Sequence, residues 1–339
     1  MMRVAVLSQY GKIEILEKKR PIAHEKNEVL IKIRATGICG TDIHGYQGTH
    51  ATIKPPRIMG HEISGEVMET GPEVTSFKRG DRVVVDPVIS CGQCYACLQG
   101  RNNICTTVRC LGVHVDGGFS DFIKVSAENL YKISDEISWE HAAMIEPFSI
   151  AAHVCERSEV KPGEKAVIIG AGQIGLCILQ AFDRIGVDVL VVDIVESRLN
   201  KAEEMGAKIV VNSKRKSFES EVLAFTHGHG ASLVIEGVGN PFLLEEAVKI
   251  TSHGARIIVM GFSSNQAKIP EVEITQKELE IRGSRLNCRK FPQAIKWFEN
   301  NEVHPELLIS RTYHLNDIDK AFKEIIKNPK DNIKVIIKN

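Results

Sequence analysis

The stretch Ala166-Val-Ile-Ile169-Gly170-Ala-Gly172-Gln-Ile-Gly175 sets the architecture of the chain. Four apolar residues run without interruption into a glycine-rich turn, and a helical pattern follows from Gln173. An uninterrupted apolar run reads as a strand buried on both faces. Between such a strand and a helix, the first glycine permits a tight bend, the second lets the backbone approach a pyrophosphate, and the third lets helix and strand pack closely. The backbone N–H groups at Gln173 and Ile174 would then face the phosphates. Glycine-rich turns are common, so the spacing needs support from its surroundings. Asp193 supplies it by ending the next strand, 18 residues beyond Gly175. A carboxylate there can accept from both hydroxyls of an adenosine ribose and would repel a 2′-phosphate, which favours NAD over NADP. Arg198 is the nearby residue able to accommodate that phosphate.

Further along the chain the strand-and-helix rhythm continues: Val189-Leu-Val-Val192, a helix from Glu196, Leu233-Val-Ile235, then Arg256-Ile-Ile-Val259. Alternation of this kind indicates a parallel sheet covered by helices on both faces. Glu236-Gly-Val-Gly239 follows one of these strands and is expected near the cofactor. Before about Pro147 the texture differs, with short runs such as Glu28–Arg34 and Arg82–Asp86 between Gly and Pro punctuation, the mark of an irregular, mostly β domain. After about Gly283 come a helix near Phe291–Trp297, another near Asp317–Ile326, and a closing strand Ile333–Ile337.

The chain has 339 residues, and at roughly 150 residues per domain that length suggests two cores. Lys+Arg and Asp+Glu balance at 43 each, which argues against a chain-wide nucleic-acid footprint. No run of about 18 apolar residues occurs, and the start of the chain has no secretory pattern, so a cytoplasmic protein without a membrane span is expected.

Four of the nine cysteines, Cys91, Cys94, Cys97 and Cys105, fall within fifteen residues. In a reducing compartment such a cluster points to a metal before it points to disulfides. Short two-residue loops let successive thiolates converge on one tetrahedral ion, and the longer return closes the fourth corner. Four thiolates leave no open position, so a zinc held here is structural. An iron–sulfur cluster is the alternative, because four cysteines at short spacings suit it as well.

Gly37-Ile-Cys39-Gly-Thr41-Asp42-Ile-His44, Gly60-His61-Glu62 and Ile145-Glu146-Pro147 scatter further zinc ligands over more than a hundred residues. Singly they say little, since an isolated Cys, His or Glu is more often structural. Together with the four-cysteine lobe and the glycine turn, they make the chain resemble the zinc-dependent medium-chain alcohol dehydrogenases over nearly its full length. Within that family it is most similar to the polyol and sugar-acid branch, sorbitol dehydrogenase-like and hexonate 5-dehydrogenase-like, with Glu146 standing where ethanol-type enzymes usually carry a second cysteine.

The resemblance implies an α/β protein: a Rossmann doubly wound parallel sheet plus a mostly β GroES-like catalytic domain. The implied division is 1–147 for the catalytic domain with its zinc lobe at 91–105, 148–283 for NAD binding, and 284–339 for the return to the catalytic domain. It implies two Zn2+ per chain, one structural and one catalytic. Cys39 and His61 would bind the catalytic ion, with Glu146 the better third ligand and Glu62 exchangeable or one shell out. Thr41 would begin a proton relay that His44 continues. An open coordination position is what such chemistry requires, because the ion acidifies the hydroxyl of a bound alcohol. The implied partners are a small polyol or sugar-acid substrate and further copies of the chain, as a dimer or tetramer. A hexonate such as galactonate or gulonate leads and a hexitol comes second, with L-threonine 3-dehydrogenase as the enzymatic alternative and an NAD-responsive binding protein as the non-enzymatic one. Arg282-Gly-Ser-Arg285-Leu-Asn-Cys-Arg289-Lys290 concentrates cations that could clamp a carboxylate or simply lie in solvent.

Overall fold

The computed structural model describes residues 1–23 and 25–339. It divides into two compact units: Met1–Ser149 with Cys288–Asn301 and Leu308–Asn339, and Ile150–Asn287 with Glu302–Leu307. The crossings thus lie a few residues beyond 147 and 283, and the short segment 302–307 packs with the second unit instead of the first.

The second unit carries a six-stranded sheet in the order Ile209–Asn212, Asp188–Asp193, Lys165–Ile169, Ala231–Glu236, Thr251–Val259, Glu280–Gly283, and every pairing is parallel. The strand order reverses about Lys165–Ile169, whose neighbours on its two sides are the next strand and one much later in the chain. The first and third crossover helices are Gln173–Asp183 and Phe218–Phe225. Val167, Leu190, Val234 and Ile257 are fully or almost fully buried and form the centre of this unit's core. Each such aliphatic side chain contributes about 1.5–3 kcal/mol of burial.

The first unit is mostly β. Its large sheet runs Leu130–Lys132, Arg82–Val85, Glu62–Thr70, Glu28–Ile38, Lys334–Lys338, Ile309–His314, with Phe122–Ser126 also pairing Glu28–Ile38. A smaller sheet joins Lys12–Lys18, Met2–Gln9 and Arg57–Ile58. Two registers of the large sheet bring residues far apart in sequence to one of its ends: Gly37 stands opposite Glu62, and Ile38 stands opposite Val335. Among the described residues, no helix is long and apolar enough to cross a membrane.

Candidate functional site

Two strand ends build the metal-ligand cluster of the first unit. Cys39 comes directly after the strand Glu28–Ile38 and is the N-cap of the helix Gly40–Tyr46. Asp42, in the first turn of that helix, accepts from the Cys39 backbone N–H at 2.9 Å through Oδ2. Its Oδ1 accepts from the Gly60 N–H at 3.1 Å and lies 3.8 Å from Nδ1 of His61. One fully buried carboxylate therefore fixes both the loop bearing Cys39 and the loop bearing His61. With Nδ1 turned to Asp42, Nε2 is the ring atom available to a metal.

The Cys39 thiol, a His61 ring nitrogen and a Glu62 carboxylate oxygen all lie within 4.8 Å of one another. Such a set of one thiol, one imidazole and one carboxylate suits zinc and leaves positions open. Burial works against a charge on His61, but the Asp42 carboxylate and the Cys39 thiol outweigh it, and its pKa is raised well above the ordinary histidine value.

Glu146 stands in the first turn of the helix Ile145–Ser158 and is buried. It is close enough for its charge to be felt at His61 and Glu62, but it lies outside the set of converging donors. Of the two glutamates, Glu62 is the one whose oxygen is grouped with the Cys39 and His61 donors, and Glu146 stands beside that set. Burial pushes the Glu146 carboxyl up to about 8, with the Glu62 charge adding to the rise against the pull of His61. A carboxyl in that range gives and takes protons near neutral pH.

Thr41 is half-buried on the helix after Cys39. His44 is exposed, and its Nδ1 meets the Thr49 hydroxyl at 3.1 Å. Nearby His50 belongs to none of the sequence motifs. Its Nδ1 accepts from the backbone N–H groups of Thr52 and Ile53, both at 3.2 Å, so the proton of the neutral ring sits on Nε2. Burial, followed by the neighbouring imidazoles of His44 and His114, lowers its pKa.

In the same unit the thiols of Cys91, Cys94, Cys97 and Cys105 converge within 4.8 Å, and none is in a disulfide. The sulfurs of Cys94 and Cys97 are 3.5 Å apart, close to the roughly 3.8 Å edge of a tetrahedron with 2.3 Å Zn–S bonds. Convergence on one point suits a single ion better than a cluster, whose thiolates attach to several separate metal atoms. Backbone N–H groups of Thr106 and Cys97 bring the Cys94 thiol down to about 6, while burial and the hydrogen bond with Cys94 push the Cys97 thiol up to about 11, so of this pair Cys94 is the thiolate and Cys97 keeps the proton.

The second unit holds the glycine turn. Gly170 has φ +108, and a Cβ on Gly175 would sit 1.9 Å from the Gly170 carbonyl oxygen, so the third glycine is demanded by packing. A Cβ on Gly172 would meet nothing within 4 Å, leaving that face open beside the helix start at Gln173 and Ile174. Asp193 accepts from Ala171 N–H at 2.7 Å through Oδ2, and from the N–H groups of Ile194 and Val195 at 2.7 and 2.9 Å through Oδ1. It thus braces the turn, and its remaining lone pairs can still meet ribose hydroxyls. Arg198 is half-buried in the first turn of the helix Glu196–Glu204. Glu236 is buried, and its Oε1 accepts from Val238 and Gly239 N–H groups at 2.9 and 2.7 Å. Its carboxylate shapes the neighbouring turn. Of the later cations, Arg282 is committed to Glu159 and Glu280, and Arg285 lies 5.8 Å from the centre of the Phe262 ring.

Residues 25–135 match the family described as alcohol dehydrogenase GroES-like domain, and residues 174–300 match zinc-binding dehydrogenase. Sorbitol dehydrogenase of Bacillus subtilis is 33% identical over 99% of this chain and 97% of its own length. L-galactonate-5-dehydrogenase of Escherichia coli is 31% identical over 99% of this chain and 98% of its own. The crystal structure of RspB from E. coli CFT073, an alcohol dehydrogenase complexed with NADH, matches with a TM-score of 0.94 at 38% identity, covering 100% of this chain and 99% of that one.

Proposed function

The chain belongs to the zinc-binding alcohol dehydrogenase family, and on that ground we propose that it transfers a hydride between NAD and a secondary alcohol of a sugar acid or polyol. A hexonate such as galactonate or gulonate is the first substrate class and a hexitol the second. The convergence of Cys39, His61 and Glu62 carries this reading, because it offers an ion three different donors without closing its shell. A zinc ion there supplies Lewis acidity toward a hydroxyl or carbonyl oxygen, and NAD supplies the hydride acceptor.

The protein's own residues do the rest. Asp42 holds the Cys39 and His61 loops in register. Glu146, buried within reach of the charges of His61 and Glu62, exchanges a proton with the substrate hydroxyl or a water beside it. Thr41 and His44 pass the released proton outward, with the exposed His44 ring as the solvent end. In the second unit, the helix start at Gln173 and Ile174 binds the pyrophosphate and Asp193 selects an unphosphorylated ribose. The four-cysteine lobe holds a second, structural zinc. We place the protein in the cytoplasm, as a dimer or tetramer.

The relatives named sorbitol dehydrogenase and L-galactonate-5-dehydrogenase support the substrate class. The test is NADH formation with L-galactonate, L-gulonate, galactitol, sorbitol and L-threonine, with zinc measured on the same preparation. Turnover of a hexonate or hexitol at two zinc per chain is expected. Turnover of L-threonine alone would transfer the assignment to an amino-alcohol dehydrogenase. NADH binding with no turnover of any of them would transfer it to a nucleotide-responsive binding protein.

A further inference from the structure

Glu62 has a second suitor. Nζ of Lys334 donates to both of its oxygens, at 2.6 and 2.8 Å, and to the carbonyl oxygen of Ile38 at 2.9 Å. All three ammonium protons are used, and both side chains are fully buried. The pair is held from both sides. Lys334 opens the strand Lys334–Lys338, whose next residue is paired with Ile38. Opposite Glu62 stands Gly37, where a Cβ would lie 1.8 Å from the Glu62 Oε2 atom. The backbone thus keeps a slot for this carboxylate beside the ammonium while one of its oxygens remains within 4.8 Å of the Cys39 and His61 donors.

We propose that Lys334 is a positioning residue of the metal centre, competing with the metal for the Glu62 carboxylate and so making Glu62 a weak, exchangeable ligand. The proposal rests on the reading that Cys39, His61 and Glu62 bind zinc. A carboxylate shared with an ammonium gives less charge to the ion, and drawing it fully onto the ion would strand a buried cation. The ammonium is also held by the Ile38 carbonyl oxygen, so following the carboxylate onto the ion would cost it that hydrogen bond. The outcome is an ion that binds more weakly than its donors allow and retains room for a substrate oxygen.

The test is zinc affinity at this site, measured at fixed pH by chelator competition on the full chain with the cysteine lobe loaded. Lys334→Met should bind zinc more tightly than the native protein by about ten- to a hundredfold, the range typical of groups that support metal ligands. Lys334→Arg should match the native protein. The gain should vanish in a Glu62→Gln background, a result that a purely structural lysine would not produce. Unchanged or weaker binding in Lys334→Met overturns the proposal, and so does a gain that survives Glu62→Gln, since the charge would then act on the ion directly. If Lys334→Met does not fold, Lys334→Gln keeps a donor for Ile38 and is read the same way. Cobalt(II) loaded into Glu62→Gln alone gives an independent check: an altered visible spectrum is expected, and an unaltered one overturns the proposal. Cys39→Ser separates the two readings. If it leaves the zinc content unchanged, the metal centre itself fails; if it removes one zinc while Lys334→Met shows no gain, only the competition fails.

Discussion

Asp42 is a buried carboxylate with two backbone donors and an imidazole around it, and its oxygens are turned to the loops rather than to the converging donors. Its replacement by Asn keeps the size but removes the charge and turns an NH2 toward groups that can only donate. Asp42→Asn should lower zinc affinity about ten- to a hundredfold and folding stability by about 1–3 kcal/mol. Chelator competition and thermal unfolding would measure both, and an affinity equal to the native protein's would refute the orienting role. Glu146 makes a pH prediction for the metal-free protein. Its carboxyl ionises at about 8 when folded, against an ordinary value of 4.5, so the folded state binds more protons in that interval. The contribution of Glu146 to stability should therefore be full below about pH 4.5 and be lost as pH rises toward 8. Glu146→Gln should flatten the slope over that interval in chemical denaturation, and parallel slopes would count against it. His61 and Cys39 are readable as zinc ligands only in the company of other motifs. Lys334 gives no signal in the sequence, since it lies 272 positions from Glu62 and only the sheet register brings them together.

Among the secondary-structure elements, the glycine turn is legible because its constraints are local. The strand Lys165–Ile169 and the helix start at Gln173 follow from residues within ten positions of each other. Gly175→Ala would place a Cβ on the Gly170 carbonyl oxygen, and the turn must open to admit it. NADH affinity should fall at least about tenfold, as a turn that aligns phosphate donors loses its shape, and fluorescence titration of NADH would detect it. Native affinity in this variant would mean that the turn does not form the phosphate site. The strands Ile209–Asn212 and Glu280–Gly283 escape a reading of the sequence for a physical reason. Both are sheet edges: Ile209-Val-Val211 is a short apolar run that is half-exposed over two of its residues, and Glu280–Gly283 is mostly polar, so neither carries the burial on both faces that marks the inner strands. The cysteine lobe is the opposite case, with all four thiols in one short loop. Cys94→Ser leaves three thiolates, and its zinc should be lost to a chelator that the native lobe resists. A lobe that keeps its metal under the same chelator would deny Cys94 its place as a ligand.

For the molecule as a whole, the zinc donors and the nucleotide turn belong to different compact units, each with its own core. This division is visible in the sequence as a change of texture near Pro147. The return of the chain is harder to place, because 302–307 packs within the second unit through contacts such as the Gln180 side chain with the backbone of His304, which no local pattern announces. Separate cores imply separable losses. Cys39→Ser and His61→Ala should each abolish turnover and remove one zinc per chain while leaving NADH binding largely intact, since neither residue belongs to the nucleotide turn. Asp193→Ala should do the reverse. It removes the charge that would oppose a 2′-phosphate, so the preference for NAD over NADP should shrink while both zinc ions stay bound. The same substitution frees three backbone N–H groups of the turn, so NAD itself should also bind more weakly. Steady-state kinetics with both cofactors, beside metal analysis of every variant, would decide the matter. An unaltered cofactor ratio in Asp193→Ala would remove it from the ribose site, and lost NADH binding in Cys39→Ser would show that the two ligand sets do not act independently.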